Sequence, residues 1–170
     1  MKLKEFIRNI SDFPEEGIEF KDITPLLQNS EAFDKAIDNI YRHYQDFNFD
    51  YIAGIEARGF IIGPPLALKF NKGFIPIRKP GKLPADKLST SYDLEYGSNE
   101  LEIHQDAINP GDKILLVDDL LATGGTVKAA IDLIEELGGE IVSVGFLLEL
   151  EKLNGRQKFN NYDSFSLIKD

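Results

Sequence analysis

Two consecutive carboxylates, Asp118 and Asp119, followed after Leu120 and Leu121 by the small, flexible run Ala122-Thr-Gly-Gly-Thr126, are the residues here whose types and spacing suit chemistry. A carboxylate accepts hydrogen bonds from neighbouring hydroxyls, so paired acids suit a diol. A loop containing Gly124 and Gly125 that opens a helix suits a phosphate, because unpaired backbone N–H groups and the helix dipole both face it. Phosphate beside a vicinal diol describes a ribose 5-phosphate. Either feature alone would be ordinary: solvated acids, or a plain helix start. Their combination is what carries weight.

The acids follow Ile114-Leu-Leu-Val117, an apolar run that reads as a strand buried on both faces and ending at the carboxylates. After the glycines comes a helical pattern over 125–137, with Val127, Ala130, Ile131, Ile134 and Leu137 on its buried face and a stop at Gly138-Gly139. Strand, acids, loop, helix places the candidate site at the C-terminal end of a parallel strand, where open α/β sheets bind ligands. Further strands are expected at Asp50–Ile55, Gly73–Ile77, Glu100–His104, Ile141–Leu148 and 164–168. Helices are expected over 1–12, over 31–46 with Ser30 as N-cap, and over about 60–70 with a late start or bend forced by Pro64 and Pro65. Strands alternating with helices predict α/β architecture around a mostly parallel central sheet.

Two stretches fit no regular period. Phe13–Leu27 carries Pro14, Gly17 and Pro25 and reads as a structured loop, yet Phe13, Ile18, Phe20 and Ile23 must bury somewhere. An aromatic such as Phe20 either joins the core or stacks on a flat heterocycle. Residues 79–99 form a long polar excursion, and a loop of that length in a compact domain is usually functional, often a lid.

At 170 residues the chain has the size of a single domain, 1–170. It contains no cysteine, so thiol chemistry and disulfides are excluded. The start, MKLKEFIRNI, is broken by charges unlike a signal peptide, and a cytoplasmic location is expected. The net charge of −10 argues against a general nucleic-acid or membrane-surface binder. Against that acidic background, Lys69 to Lys87 holds six basic residues and only one acid, which suits a small polyanion. Lys69, Lys72 and Lys87 read as solvated. Walker-type, dinucleotide and nucleophile-elbow motifs are missing. His43 and His104 are rated structural, and no metal site made by protein groups is expected.

The stretch Ile114–Thr126 resembles the 13-residue phosphoribosyl pyrophosphate (PRPP) motif of type I phosphoribosyltransferases. Phe13–Leu27, Ala53–Phe60, Gly73–Pro84, Tyr92–Gly97, Leu101–Ile108 and Glu149–Arg156 resemble the adenine-specific branch of that family, so the likeness runs nearly end to end. The resemblance implies a type I phosphoribosyltransferase-like fold with an N-terminal hood (roughly 1–27) and a flexible lid (roughly 79–99). It implies transfer of 5-phosphoribosyl from PRPP to adenine, giving AMP and pyrophosphate, with Mg²⁺ held mainly by PRPP, in a homodimer.

By the same resemblance, Asp118 and Asp119 bind the ribose hydroxyls and Ala122, Thr123, Gly124, Gly125 and Thr126 wrap the 5-phosphate. Arg58 meets the pyrophosphate, and Lys79 and Lys82, with Arg78, meet it from the neighbouring subunit. Glu95 is the acid/base group with Tyr96 beside it; without the family pattern Glu95 would read as a solvated loop acid. Ile18, Glu19, Phe20 and Lys21 cover adenine, largely through backbone groups. Lys21 stands where many relatives have Arg. Transfer to another purine or a pyrimidine, and a PRPP-sensing regulator without turnover, are the competing expectations.

Overall fold

A computed structural model describes residues 1–93 and 97–170. At the amino end a 3₁₀ turn, Leu3–Phe6, precedes two short antiparallel strands, β1 (Arg8–Ser11) and β2 (Glu19–Asp22), which among the described residues pair only with each other. Helices α1 (Thr24–Gln28) and α2 (Ser30–Tyr44) follow, then β3 (Tyr51–Ile55), α3 (Gly59–Phe70) and β4 (Gly73–Ile77). An antiparallel hairpin, β5 (Lys87–Asp93) and β6 (Ser98–His104), leads to β7 (Lys113–Leu121), α4 (Gly125–Glu136), β8 (Glu140–Glu149) and β9 (Ser164–Lys169). No helix among the described residues is long and apolar enough to cross a membrane.

The central sheet is five parallel strands in the order β4-β3-β7-β8-β9. Its core has two halves. Ile114 and Leu116 of β7 pack with Val127, Ala130, Ile131 and Ile134 of α4, while Leu115 and Val117 pack with α2 and α3 through Ile37, Ile40, Ile62 and Leu66. Period-two alternation in a strand covered on both faces is why ILLV is uniformly apolar. The crossover from β3 runs through α3 to β4, and that from β7 runs through α4 to β8, toward opposite edges. Adjacent strands whose connections part in this way leave a crevice at their carboxyl ends.

Several expectations are corrected. Residues 1–12 form a 3₁₀ turn and a strand, because the ribbon with β2 satisfies their backbone groups. The 13–27 stretch contains β2 and α1. Asn29, not Ser30, caps α2: its side chain accepts from Ala32 N at 2.9 Å. The helix α3 starts at Gly59 and runs through Pro64 and Pro65, with no late start. Strand β7 continues past the acids to Leu121, so Asp118 and Asp119 sit within it. Much of the 79–99 excursion is ordered as strand, since its polar alternation Lys87–Asp93 is that of a ribbon half exposed to water.

Candidate active site

The loop after β3 and the loop after β7 meet at the crevice and enclose a cavity of about 510 Å³. Glu56 and Arg58 line it from β3, Lys79 from the segment after β4, and Tyr92 and Asn99 from the hairpin. Asp118, Asp119 and the run Ala122, Thr123, Gly124 and Thr126 line it from β7 and its loop. Gly125 opens α4 directly behind that run.

The two acids are held differently. Asp118 is half-buried, and its Oδ1 accepts from Asp119 N at 2.9 Å. Gly59, at the start of α3, lies so close that a Cβ there would stand 2.9 Å from Asp118 Oδ1. Asp119 is only 4% exposed. Arg58 Nε lies 2.9 Å from its Oδ2, yet no donor among the described residues is aligned on that oxygen, so the contact is an ion pair without a hydrogen bond. A buried acceptor in this condition is costly and is suited to an incoming hydroxyl. Burial, reinforced by the charge of Asp119, pushes the Asp118 carboxyl well above the usual carboxylate range. Burial also raises Asp119, and Arg58 opposes that rise.

Gly124 has φ +84° and fits its turn only as glycine, since any Cβ would collide with the Gly155 carbonyl. Gly155 in turn lies against the backbone of Ala122. It is followed by Arg156, whose Nε and Nη2 each lie 2.7 Å from a carboxylate oxygen of Glu149, and which also bonds Ser164 and Ser166. The loop before α4 therefore rests on a braced segment. The amino end of α4 and the run 122–126 border the cavity, where the sequence leads one to expect an anion cradle. Thr126 Oγ1 lies 3.1 Å from Tyr92 Oη, donating to it and tying the hairpin to the cradle.

The other predicted residues divide. Lys79 lines this protomer's own cavity, whereas the resemblance implied a reach from the neighbouring subunit. Arg78 does not line it: its Nε donates to Glu56 Oε1 at 3.2 Å and its guanidinium lies 5.8 Å from the Phe60 ring centre. Lys82 is exposed and off the cavity. Phe20 approaches the site through Arg58, whose guanidinium carbon is 5.7 Å from its ring centre. Ile18 and Glu19 are exposed. Lys21 is buried, on the opposite face of β2. Glu95 and Tyr96 lie outside the described residues.

Sequence reasoning gave no role to Glu56, whose Oε1 also accepts from Lys79 N at 2.6 Å and so shapes the basic segment. Nor did it single out Tyr92 or Asn99. The end of β3, a polar tail on an apolar strand like that of β7, was the available signal for Glu56.

A model of the phosphoribosyl transferase domain family matches residues 22–170. An adenine phosphoribosyltransferase of Halothermothrix orenii is 70% identical over 170 residues, covering 100% of both chains. A crystal structure of adenine phosphoribosyltransferase from Thermoanaerobacter pseudethanolicus has a TM-score of 0.96 at 52% identity, covering 99% of this chain and 98% of that one. The Saccharomyces cerevisiae enzyme, solved with an imino-altritol bisphosphate and adenine, has a TM-score of 0.91 at 41% identity, over 97% of this chain and 96% of that one.

Proposed function

The chain belongs to the phosphoribosyl transferase family, in its adenine phosphoribosyltransferase branch, and we propose that the cavity between β3 and β7 carries out the transfer of 5-phosphoribosyl from PRPP to adenine, giving AMP and pyrophosphate. The observation that carries the site assignment is the buried Asp119 oxygen without an aligned donor, beside a glycine cradle in the same cavity. The pair accepts hydrogen bonds from the two ribose hydroxyls, and the cradle of 122–126 holds the 5-phosphate. Binding energy at the phosphate, remote from the reacting bond, is then available for orienting C1.

In the reaction the bond from C1 to the pyrophosphate oxygen breaks and a bond from the base nitrogen to C1 forms. Positive charge grows on the ribose and negative charge on the leaving group. Lys79 and Arg58 face the leaving group, where preorganised charge gives its largest returns. Arg58, paired with Asp119 in the substrate-free site, exchanges that acid for pyrophosphate as ribose hydroxyls take over the carboxylate. Asp118 and Asp119 keep negative charge beside the developing oxocarbenium. Glu95 takes the proton that the base loses, a contribution of about 10²–10⁴ in rate. Ile18 to Lys21 cover the base from above, and the segment 79–99 closes over the site and excludes water.

Mg²⁺ fits this site as a companion of PRPP. It would be held mainly by PRPP, whose oxygens are the hard donors it prefers, while Asp118 and Asp119 would fix the ribose hydroxyls beside it. When bound, it neutralises charge on the pyrophosphate. We further infer a cytoplasmic homodimer in which Lys82 reaches the neighbouring subunit's site. The helix α3 supports the dimer: Phe60, Ile61, Pro64 and Leu68 leave apolar surface outside, and Leu68 is 83% exposed.

A base panel tests the activity. With PRPP and Mg²⁺, adenine is expected to release pyrophosphate well ahead of guanine, hypoxanthine, xanthine or a pyrimidine base. Preference for any other base overturns the adenine assignment. Glu95→Gln is expected to lower turnover by about 10²-fold or more while PRPP affinity holds, and wild-type turnover would remove Glu95 from the proton transfer.

A further inference from the structure

We propose that Lys21 is a positioning residue for the base, its ammonium clasped by Asp170 so that strand β2 is held at a fixed height over the cavity. The inference rests on the reading that the base binds beneath β2. Neighbouring residues on a strand face opposite ways. Phe20 turns toward Arg58 and the cavity, and Lys21 turns away into the protein. There its Nζ lies 2.6 Å from Asp170 Oδ2 and donates to Asn9 Oδ1 at 2.9 Å, with Glu19 further off at 3.4 Å. Its side chain is 8% exposed and that of Asp170 is 28%, so the lysine end of the contact is shielded from water.

Asp170 is itself anchored beside the site. Its N donates to Glu149 O and its O accepts from Glu151 N, both at 2.9 Å. Between those two residues, Leu150 N donates to Leu121 O at 2.9 Å, one residue before the phosphate cradle begins. Asp170 Oδ1 takes a second cation, Lys4, at 2.6 Å. The ribbon β1–β2 forms no ladder with the central sheet, and a lone two-stranded ribbon is marginal by itself. Lys21 thus links the ribbon to the carboxyl edge of β8 and β9 from directly beneath Phe20. Any base contact made by the backbone of 18–21 inherits its height from this link.

Steady-state kinetics on the purified protein tests it, with Lys21→Met, Asp170→Asn, the double variant and Lys21→Arg. Lys21→Met and Asp170→Asn are each expected to raise the KM for adenine about tenfold while the KM for PRPP stays within about twofold. The double variant should fall short of the sum of the singles, because both remove the Lys21–Asp170 contact. Lys21→Arg should restore a KM near wild type.

Equal rises in both KM values, an unchanged adenine KM, or additive single effects would overturn the clasp. Asp170→Asn keeps the side chain's shape, so the inference remains testable if Lys21→Met does not fold. If the wild-type protein ignores adenine but uses another base, the adenine reading fails. The same variants then test the clasp with that base.

Discussion

Burying two adjacent carboxylates opposes folding, and here it is offset by one arginine whose contact is not even aligned. Asp118 and Asp119 make sense as acceptors for hydroxyls that arrive with the ligand. Asp118→Asn or Asp119→Asn is therefore expected to weaken PRPP–Mg²⁺ binding by about 10- to 100-fold in calorimetry, the worth of hydrogen bonds to a charged group. Unchanged affinity in both would refute the ribose assignment. The raised pKa of Asp118 adds a sign. A carboxyl raised on folding binds more protons in the native state, so its ionisation costs stability as pH rises through the folded value. Asp118→Asn should accordingly raise the melting temperature of the substrate-free protein at pH 7 to 8 while it weakens PRPP. Ribose hydroxyls favour the charged form, so PRPP binding should release protons. Calorimetry in buffers of different protonation enthalpy would show this, and the effect should vanish in Asp118→Asn. The acid pair was legible in the sequence because nothing in a strand buried on both faces requires it. The contacts of Glu56 with Lys79 and of Tyr92 with Thr126 were not, because those partners lie 23 and 34 positions away and are joined only by the fold.

At the scale of elements, the phosphate loop depends on a segment that follows β8. Gly124 and Gly155 meet backbone to backbone, and Arg156, clamped to Glu149, holds Gly155 there. Gly155→Ala should push the cradle out of shape, raising the KM for PRPP by about tenfold or more with little change for adenine, as steady-state kinetics would read. The hood carries a pH prediction. Asp22, held by Thr24 and Arg8, and Asp170, held by Lys21 and Lys4, both have pKa values lowered to about 2. Depressed carboxylates contribute stability that is present above about pH 4 and lost as pH falls through about 2. The ribbon should therefore loosen first on acidification, seen as faster amide exchange in β1 and β2 before the central sheet. Asp170→Asn should remove part of that dependence. The parallel strands and α2 and α4 could be read from hydrophobic period alone, since each buries a regular face. The ribbon and α1 could not. Their apolar residues follow no single period: Phe20 meets Arg58, Ile23 and Leu26 serve the core, and Lys21 is a buried charge that no hydrophobic pattern announces.

For the whole molecule, the question is whether one chain makes a complete site. Lys79 lines its own cavity, but Lys82, three residues on, does not. A helix that leaves Phe60, Ile61, Pro64 and Leu68 partly exposed would be covered in the proposed dimer, where a second copy related by a twofold axis would serve each subunit alike. Leu68→Glu is expected to shift the sedimenting species from dimer toward monomer, and a wild-type protein that sediments as a monomer at working concentration would remove the dimer. Subunit mixing then decides whether Lys82 acts across the interface. Lys82→Ala and Asp118→Asn are each expected to be impaired alone. If Lys82 serves the neighbour, a mixed dimer places both lesions in one site and leaves the other intact. Random pairing of equal amounts makes about half the dimers mixed, so activity should recover to about a quarter of wild type. If Lys82 serves its own site, every site in the mixture carries one lesion and no recovery appears.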